Sequence, residues 1–408
     1  MKKRTLFALA AISLSAVTIS QAFAQPEYDQ VARGRYIATL GDCTACHTAD
    51  PEKPFAGGIR LNTPFGTLVG ANITPDRETG IGNWTFDDFQ RAMSEGVGHN
   101  GKRLYGAMPF TAYTKVTRKD NEDLWAWLQT LQPVHQKVET NQLPFPFNVR
   151  TSLIVWNWIN FGKGEFKPDM SKSAEWNRGA YLVEALGHCG TCHTPKNLLG
   201  GDKNSQFVSG AVVEGWWAPD LTSNTHTGLG KWTQKDIVTY LRTGMNRYDI
   251  ASGPMADAVK HSTQYWRDED LNAVATYLKA MPAREDDKPA PLAASDQRMQ
   301  TGALIYETKC SACHAPQGQG VENIFPRLAG NPLVNAPQAT SLIHVVTAGS
   351  RGVDTDARPT APAMPSFDGT LSDEEMADAI TYIRNSWGNA ASPVSASDVK
   401  DLKEELRK

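Results

Sequence analysis

All six cysteines of the chain fall in three copies of one pentapeptide. The copies are Cys43-Thr44-Ala45-Cys46-His47, Cys189-Gly190-Thr191-Cys192-His193 and Cys310-Ser311-Ala312-Cys313-His314. Cys-x-x-Cys-His is the attachment signature of c-type haem. On a helical turn, residues three and four apart share a face. Both thiols can therefore reach the vinyl groups of one haem edge while the adjacent imidazole meets the iron. A single copy could arise by chance; three copies with no cysteine left over point to three covalently bound haem c groups. Disulfides, the default outside the cytoplasm, need cysteines spread among distant loops, and here they occur only as close pairs followed by His. A closed zinc site needs four ligands; each block offers three, and the blocks lie more than 100 residues apart.

His47, His193 and His314 each supply one axial position, and the opposite position decides the chemistry. A closed haem moves electrons; an open one binds peroxide, nitrite or oxygen. Each unit carries a Met at a matching place: Met108 before Pro109, Met255 after Pro254 and Met364 before Pro365. They follow the axial His by 61, 62 and 50 residues, and Gly96, Gly244 and Gly349 by 12, 11 and 15. The neighbouring proline stiffens the loop and fixes where the thioether points. A lone Met is ordinarily core filler, but three in register beside proline read as distal iron ligands. Met93 and Met376 fall on predicted helices and read as core. Met245 has Val97 as its counterpart and does not repeat. His99, His135, His188, His226, His261 and His344 read as surface or packing residues; His188, beside Cys189, could at most tune the second haem's surroundings. His–Met ligation raises the reduction potential, so three such centres form a graded relay. No catalytic residue is assigned.

The elements that must position these residues repeat as well. Arg33-Gly34-Arg35-Tyr36-Ile37 precedes the first motif and Arg178-Gly179-Ala180-Tyr181-Leu182 the second; Thr301-Gly302-Ala303-Leu304-Ile305-Tyr306 is a looser third. Each is expected to be a helix leading into the motif. Asn72 to Thr85 is echoed by Asp220 to Thr233, both ending in Gly-x-Gly-x-Trp-Thr. Helices are expected after both, ending near Gly96 and Gly244, and over Ala339 to Ala348 in the third unit. Each unit closes on an apolar helical stripe: Leu124, Trp127, Leu128, Leu131; Leu271, Val274, Ala275, Leu278; and Met376, Ala379, Ile380, Ile383. Ser372 with Glu375 forms a predicted capping box, and acidic residues open each stripe, as suits a helix N-terminus. No sustained alternation of period two appears. The fold class is mainly α: three tandem units, each wrapped around one covalent haem.

The 408 residues have 40% hydrophobic and 21% charged content and a formal net charge of −3. No basic stripe of the kind nucleic-acid binding requires is present. Residues 1–24 read as a secretory signal: Lys2, Lys3 and Arg4, then an apolar run from Leu6 to Ile19, then the Ala22-Phe23-Ala24 cleavage site. The mature chain would start at Gln25, with 38 basic and 44 acidic residues and a net charge near −6. The expected division is a first unit over 26–147, an apolar linker over 148–169, a second unit over 170–284, a Pro- and Ala-rich linker over 285–294, a third unit over 295–390 and a charged tail over 391–408. Units of about a hundred residues are small for an independent core, and a bound haem supplies part of it. From 143 to 166 the chain is too apolar for a solvated tether: it is either a helix wedged between the first two units or a docking surface for a partner or the membrane edge.

The flanks carry a resemblance. Leu143-Pro144-Phe145-Pro146-Phe147-Asn148, Ala174-Glu175-Trp176-Asn177-Arg178-Gly179-Ala180-Tyr181 and Gly187-His188-Cys189-Gly190-Thr191-Cys192-His193-Thr194-Pro195, with the triple layout, resemble the cytochrome c subunit of membrane-associated periplasmic dehydrogenases: the gluconate, sorbitol, fructose, alcohol and aldehyde dehydrogenases of Gram-negative bacteria. The resemblance covers essentially the whole mature chain. It implies three cytochrome c-type domains and a catalytic partner subunit using flavin, pyrroloquinoline quinone or a molybdenum centre, with a small third subunit possible. It also implies ubiquinone or a terminal oxidase as acceptor. No nucleotide fold for the oxidation step occurs here, so catalysis would belong to another chain. Some members end in a hydrophobic anchor; Ala396 to Lys408 is charged, and no segment after the signal has the roughly 20 apolar residues a spanning helix needs. Membrane association would then be peripheral, through the partner or residues 143–161. A rival reading is a multihaem enzyme such as a peroxidase or a thiosulfate-oxidising cytochrome, which requires an open axial position. A haem-based sensor is more distant, since no signalling domain is present downstream.

Overall fold

A computed structural model describes residues 28–284 and 288–407. The expected secretory signal over 1–24 lies outside them. Helix α1 (Tyr28–Leu40) runs into α2 (Cys43–His47), the first haem-motif turn. Next come a hairpin of β1 (Arg60–Thr63) and β2 (Gly66–Val69), then α3 (Phe86–Glu95), the one-turn α4 (Phe110–Tyr113) and α5 (Arg118–Leu128). Strand β3 (Asn141–Gln142) pairs antiparallel with β2, placing Thr67 opposite Gln142. Helix α6 (Leu153–Asn160) then leads into a second succession. This comprises α7 (Ala174–Tyr181), α8 (Gly190–His193), β4 (Ser209–Val213) paired with β5 (Trp216–Asp220), α9 (Gln234–Thr243), α10 (Pro254–His261) and α11 (Asp268–Ala280). The last comprises α12 (Gln297–Ile305), α13 (Ser311–His314), α14 (Thr340–Ala348), the two-residue strands β6 (Ser350–Arg351) and β7 (Ala363–Met364), and α15 (Asp373–Arg384), with α16 (Ala396–Leu406) at the end. The mainly α organisation is as expected. The strands, of two to five residues, are too short to print a period-two signal.

Local chemistry accounts for the helix limits. Ser372 accepts from the Glu375 N–H and the Glu375 carboxylate accepts from Ser372, the expected capping box. Thr85 with Asp88 and Thr233 with Asp236 do the same for α3 and α9, because a threonine oxygen at the N-cap satisfies an otherwise orphaned amide. Both helices end on a left-handed glycine, Gly96 at φ 65° and Gly244 at φ 72°, a conformation that costs other residues a Cβ clash.

The repeated glycine of the leading helix marks a helix crossing. A Cβ on Gly34 would lie 1.9 Å from the Asp123 carbonyl oxygen; on Gly179, 2.0 Å from that of Ala273; on Gly302, 2.2 Å from that of Asp378. In each case the next obstacle on the closing helix includes an aromatic Cβ: Trp127, Tyr277 and Tyr382. So α1 lies against α5, α7 against α11 and α12 against α15 with backbones almost touching. Arg33 to Asp123 (2.9 Å) and Arg178 to Asp270 (2.7 Å) tie the first two crossings.

The apolar stripes face inward as expected, yet the cores do not fall one to a unit, and a small cluster of Ala251, Val259 and Val353 joins the second unit to the third. Leu40, Leu124 and Leu128 belong to the same buried cluster as Leu182, Leu271 and Leu278, so the first two units share an interior. The third unit has its own, built on Tyr306, Met376 and Ile380 and extended by Val399 and Leu402 of α16. The charged tail is thus a docked helix: Ser395 and Asp398 form its capping box, and Lys403 holds Asp368 (2.5 Å) and Asp373 (2.8 Å). Arg384 is fully buried and donates to the carbonyls of Ser392, Val334 and Ala336. Met93, Met245 and Met376 are core residues.

Helix α6 answers to both readings of the apolar linker. Leu153 is buried, Trp156 meets the Phe110 ring edge-on at 6.2 Å, and the Trp156 Nε1–H donates to the Leu199 carbonyl at 2.7 Å. Its opposite face, with Ile154, Val155, Trp158 and Ile159, is exposed.

Candidate haem-binding centres

Two of the three leading helices widen just before their cysteines. Residues Leu182–Leu186 and Tyr306–Cys310 form π turns, with the Gly187 N–H reaching the Leu182 carbonyl at 2.7 Å. Such turns insert one extra residue and swing the downstream chain. In the first unit, Asp42 at φ 49° makes the corresponding bend.

The three motif histidines are held alike. Nδ1 of His47 lies 2.6 Å from the Ala71 carbonyl oxygen, that of His193 2.7 Å from the Pro219 oxygen, and that of His314 3.0 Å from the Pro326 oxygen. A carbonyl can only accept, so Nδ1 carries the proton and Nε2 keeps its lone pair free for a metal. Burial holds all three imidazoles below the usual range, which favours this neutral form. Ala71 lies just after β2 and Pro219 sits in β5. The hairpins missed in the sequence are therefore what aim the first two imidazoles.

Five of the six cysteines are at least half-buried in apolar surroundings, and Cys313 is exposed. Burial pushes the Cys43, Cys46 and Cys189 thiols up to about 12 and Cys310 to about 11, and raises Cys192 as well. At Cys46, the charges of Asp42, Cys192 and Glu214 add to the burial, which puts the first and second motifs within electrostatic reach. None of the six is in a disulfide. A reactive redox pair needs a stabilised thiolate; these thiols suit an apolar plate instead.

A single cavity spans the second and third motifs. Its walls include Cys189, Cys192, His193 and Met255, and also Cys310, Cys313, His314 and Met364. The structure thus brings these two methionines into the space their motifs face. Met108 packs against the core that the first two units share. The expected loop setting of the methionines differs among them: Met255 stands in the first turn of α10, Met364 in β7, and Met108 just ahead of α4. Gly253, at φ 55°, allows Trp216 to pack where a Cβ would lie 2.5 Å from the indole. Trp216 in turn stacks on His344 of α14 at 4.0 Å, whose Nδ1 meets the Gly215 carbonyl at 2.9 Å.

The donor set fits haem c. Neutral, oriented imidazoles, paired apolar thiols and methionine-lined space are what the group requires. Trp232, the echo of Trp84, lines the cavity with a buried Nε1–H that has no partner among the described residues, a donor suited to a haem propionate. His188 is half-buried and takes a packing role: it hydrogen-bonds the Gly41 backbone and meets the Tyr113 ring edge-on at 5.5 Å, joining the regions around Cys43 and Cys189. Only its position beside Cys189 hinted at this.

The sequence profile of the cytochrome c family matches residues 176–282 and 299–387. The cytochrome c subunit of the quinone alcohol dehydrogenase of Gluconobacter oxydans is 39% identical over 421 residues, covering 97% of this chain and 86% of that subunit. The gluconate 2-dehydrogenase cytochrome c subunit of Pantoea cypripedii is 39% identical over 395 residues, covering 92% and 90%. The fructose dehydrogenase cytochrome subunit of Gluconobacter japonicus is 35% identical over 431 residues, covering 98% and 88%. With thiol pairs, oriented imidazoles and a matching cavity already in place, these similarities show that the chain belongs to the family of cytochrome c subunits of dehydrogenases.

Proposed function

We propose that the chain relays electrons through three covalently bound haem c groups, one in each of three tandem cytochrome c-type domains (26–147, 170–284 and 295–390). The donor is a catalytic dehydrogenase subunit of flavin, pyrroloquinoline quinone or molybdenum type that oxidises a sugar acid, polyol, alcohol or aldehyde. A small third subunit completes the complex. The acceptor is ubiquinone or a terminal oxidase, and the chain works in the periplasm, peripheral to the inner membrane. The relatives named for alcohol, gluconate and fructose dehydrogenases support the partner class.

The observation that carries the reading is the threefold recurrence of a Cys pair beside an imidazole whose Nδ1 is bound to a backbone carbonyl. Bound haem c supplies reversible one-electron exchange at its iron. The cysteine pairs tether it at two points, and His47, His193 and His314 present Nε2. Met108, Met255 and Met364 would also hold the iron and so leave no place for exogenous ligands. The apolar walls keep water out, which with thioether ligation favours the reduced state. The common cavity of the second and third motifs and the closeness of Cys46 to Cys192 support an order first–second–third, with the second as the junction.

The test is a set of single variants, Met108→Ala, Met255→Ala and Met364→Ala. Each should abolish one third of the far-red thioether-to-ferric-iron absorption and open one centre to carbon monoxide. The unaltered reduced protein should bind none; stoichiometric binding at native pH would refute the closed relay. The purified chain alone should oxidise no sugar or alcohol.

A further inference from the structure

We propose that the apolar face made by the 145–149 loop, α6 and the 198–199 loop docks this chain onto an anionic phospholipid bilayer. The proposal deepens the peripheral membrane placement in the reading above and rests on it.

Nine of the sixteen large apolar side chains that stand most exposed among the described residues lie in these three segments, so the exposure is concentrated. Phe145 is 81% exposed, Trp158 85% and Leu198 98%. The segments are fastened together. The Trp156 indole donates to the Leu199 carbonyl (2.7 Å), Asn197 donates to the Asn160 side chain (2.8 Å), and the Phe147 ring meets Phe65 at 5.1 Å. Leu153 is buried and the Phe161 ring meets Phe110 at 5.2 Å, so α6 cannot roll to hide its outer face.

Charge selects the occupant. The chain is acidic, with a formal net charge of −3, yet the rim of this face is basic. The Arg150 guanidinium lies 4.7 Å over the Tyr105 ring, whose hydroxyl donates to the Phe147 carbonyl at 2.9 Å. Arg150 also donates to the Arg103 carbonyl, and Lys102 is close enough for the two cations to repel. Glu139 is the carboxylate that faces both, leaving two cations against one anion. Basic residues bordering exposed Trp, Phe and Ile are the composition that settles at an anionic lipid interface. A folded partner must offer a pocket for each protruding side chain, whereas hydrocarbon accepts them all. No helix among the described residues is long and apolar enough to cross a membrane, so this contact lies at the surface.

The experiment uses the full, haem-loaded chain and sedimented vesicles of phosphatidylcholine, with or without phosphatidylglycerol. The wild type should bind the mixed vesicles at low salt, and less well to pure phosphatidylcholine or at high salt. Trp158→Ser with Ile154→Ser should weaken binding at least about tenfold. Lys102→Gln should lower binding to the mixed vesicles alone. Haem spectra and reduction by dithionite should be unchanged in every variant, which separates failure of this proposal from failure of the relay. Wild type that ignores phosphatidylglycerol, or variants that bind as tightly as wild type, would overturn it. So would Trp158→Ser with Ile154→Ser that keeps vesicle binding but no longer assembles with the dehydrogenase subunit, which would make a protein the occupant.

Discussion

Single side chains here are set by their neighbours' backbone more than by other side chains. The motif imidazoles take their tautomer from the carbonyls of Ala71, Pro219 and Pro326. Asp249 is a case of burial acting on a charge. It lines the cavity of the second and third motifs, accepts from the Ile250 N–H at 2.8 Å, and burial pushes its carboxyl up to about 7. The folded chain therefore keeps a proton that the unfolded chain releases near 3.8. Stability from this group is complete below that value and is lost as pH rises through about 7. The melting temperature should fall from about pH 5 to about pH 8, and Asp249→Asn should flatten that fall; a slope identical in both proteins would contradict the assignment. The motif cysteines and histidines were legible because their spacing is local. The carbonyl acceptors were not, since every residue has a carbonyl and only folding selects one. Asp249 looked like any loop carboxylate, because burial by distant segments leaves no local mark.

Among elements, the crossing of leading and closing helices does most of the positioning. Gly179→Ala would put a Cβ 2.0 Å from the Ala273 carbonyl oxygen, so α7 and α11 must separate. Overpacking of this kind costs about 1–3 kcal/mol; calorimetry should show the loss, while Gly162→Ala, which meets nothing within 4 Å, should be nearly silent. Arg384→Met should be worse. It strands the carbonyls of Ser392, Val334 and Ala336, at about 1–3 kcal/mol for each group left unpaired; a denaturation midpoint close to wild type would argue against that role. Helices with caps and stripes were readable, as at Ser372, Glu375 and Gly96. The hairpins were not, and neither was the choice of Gly34, Gly179 and Gly302 as contact points: the repeat displayed those glycines without saying what they touch.

For the molecule as a whole, three similar units do not make three similar cores. The first two share an interior, while the third closes its own with α16. The haem-loaded protein should accordingly melt in two steps, the smaller belonging to the third unit; one step with all haem environments lost together would show that the contacts between the second and third units, Trp216 on His344 and Val353 on Ala251 and Val259 among them, couple everything. Repetition in sequence reveals how many units exist, but which outer faces meet depends on surfaces such as those of Tyr113 and His188, whose pairing no spacing announces.

That shared interior also constrains how the protein is made. If haem is tethered at both motifs as proposed, the thioether bonds must form while the thiols are reachable, yet Cys43 and Cys189 end up packed against the same core. As the chain emerges N-terminus first, the earliest motif cannot be sealed in until the second has appeared and been loaded. Maturation of the two is thus a joint event, and a chain missing either would be caught half-closed and open to proteolysis.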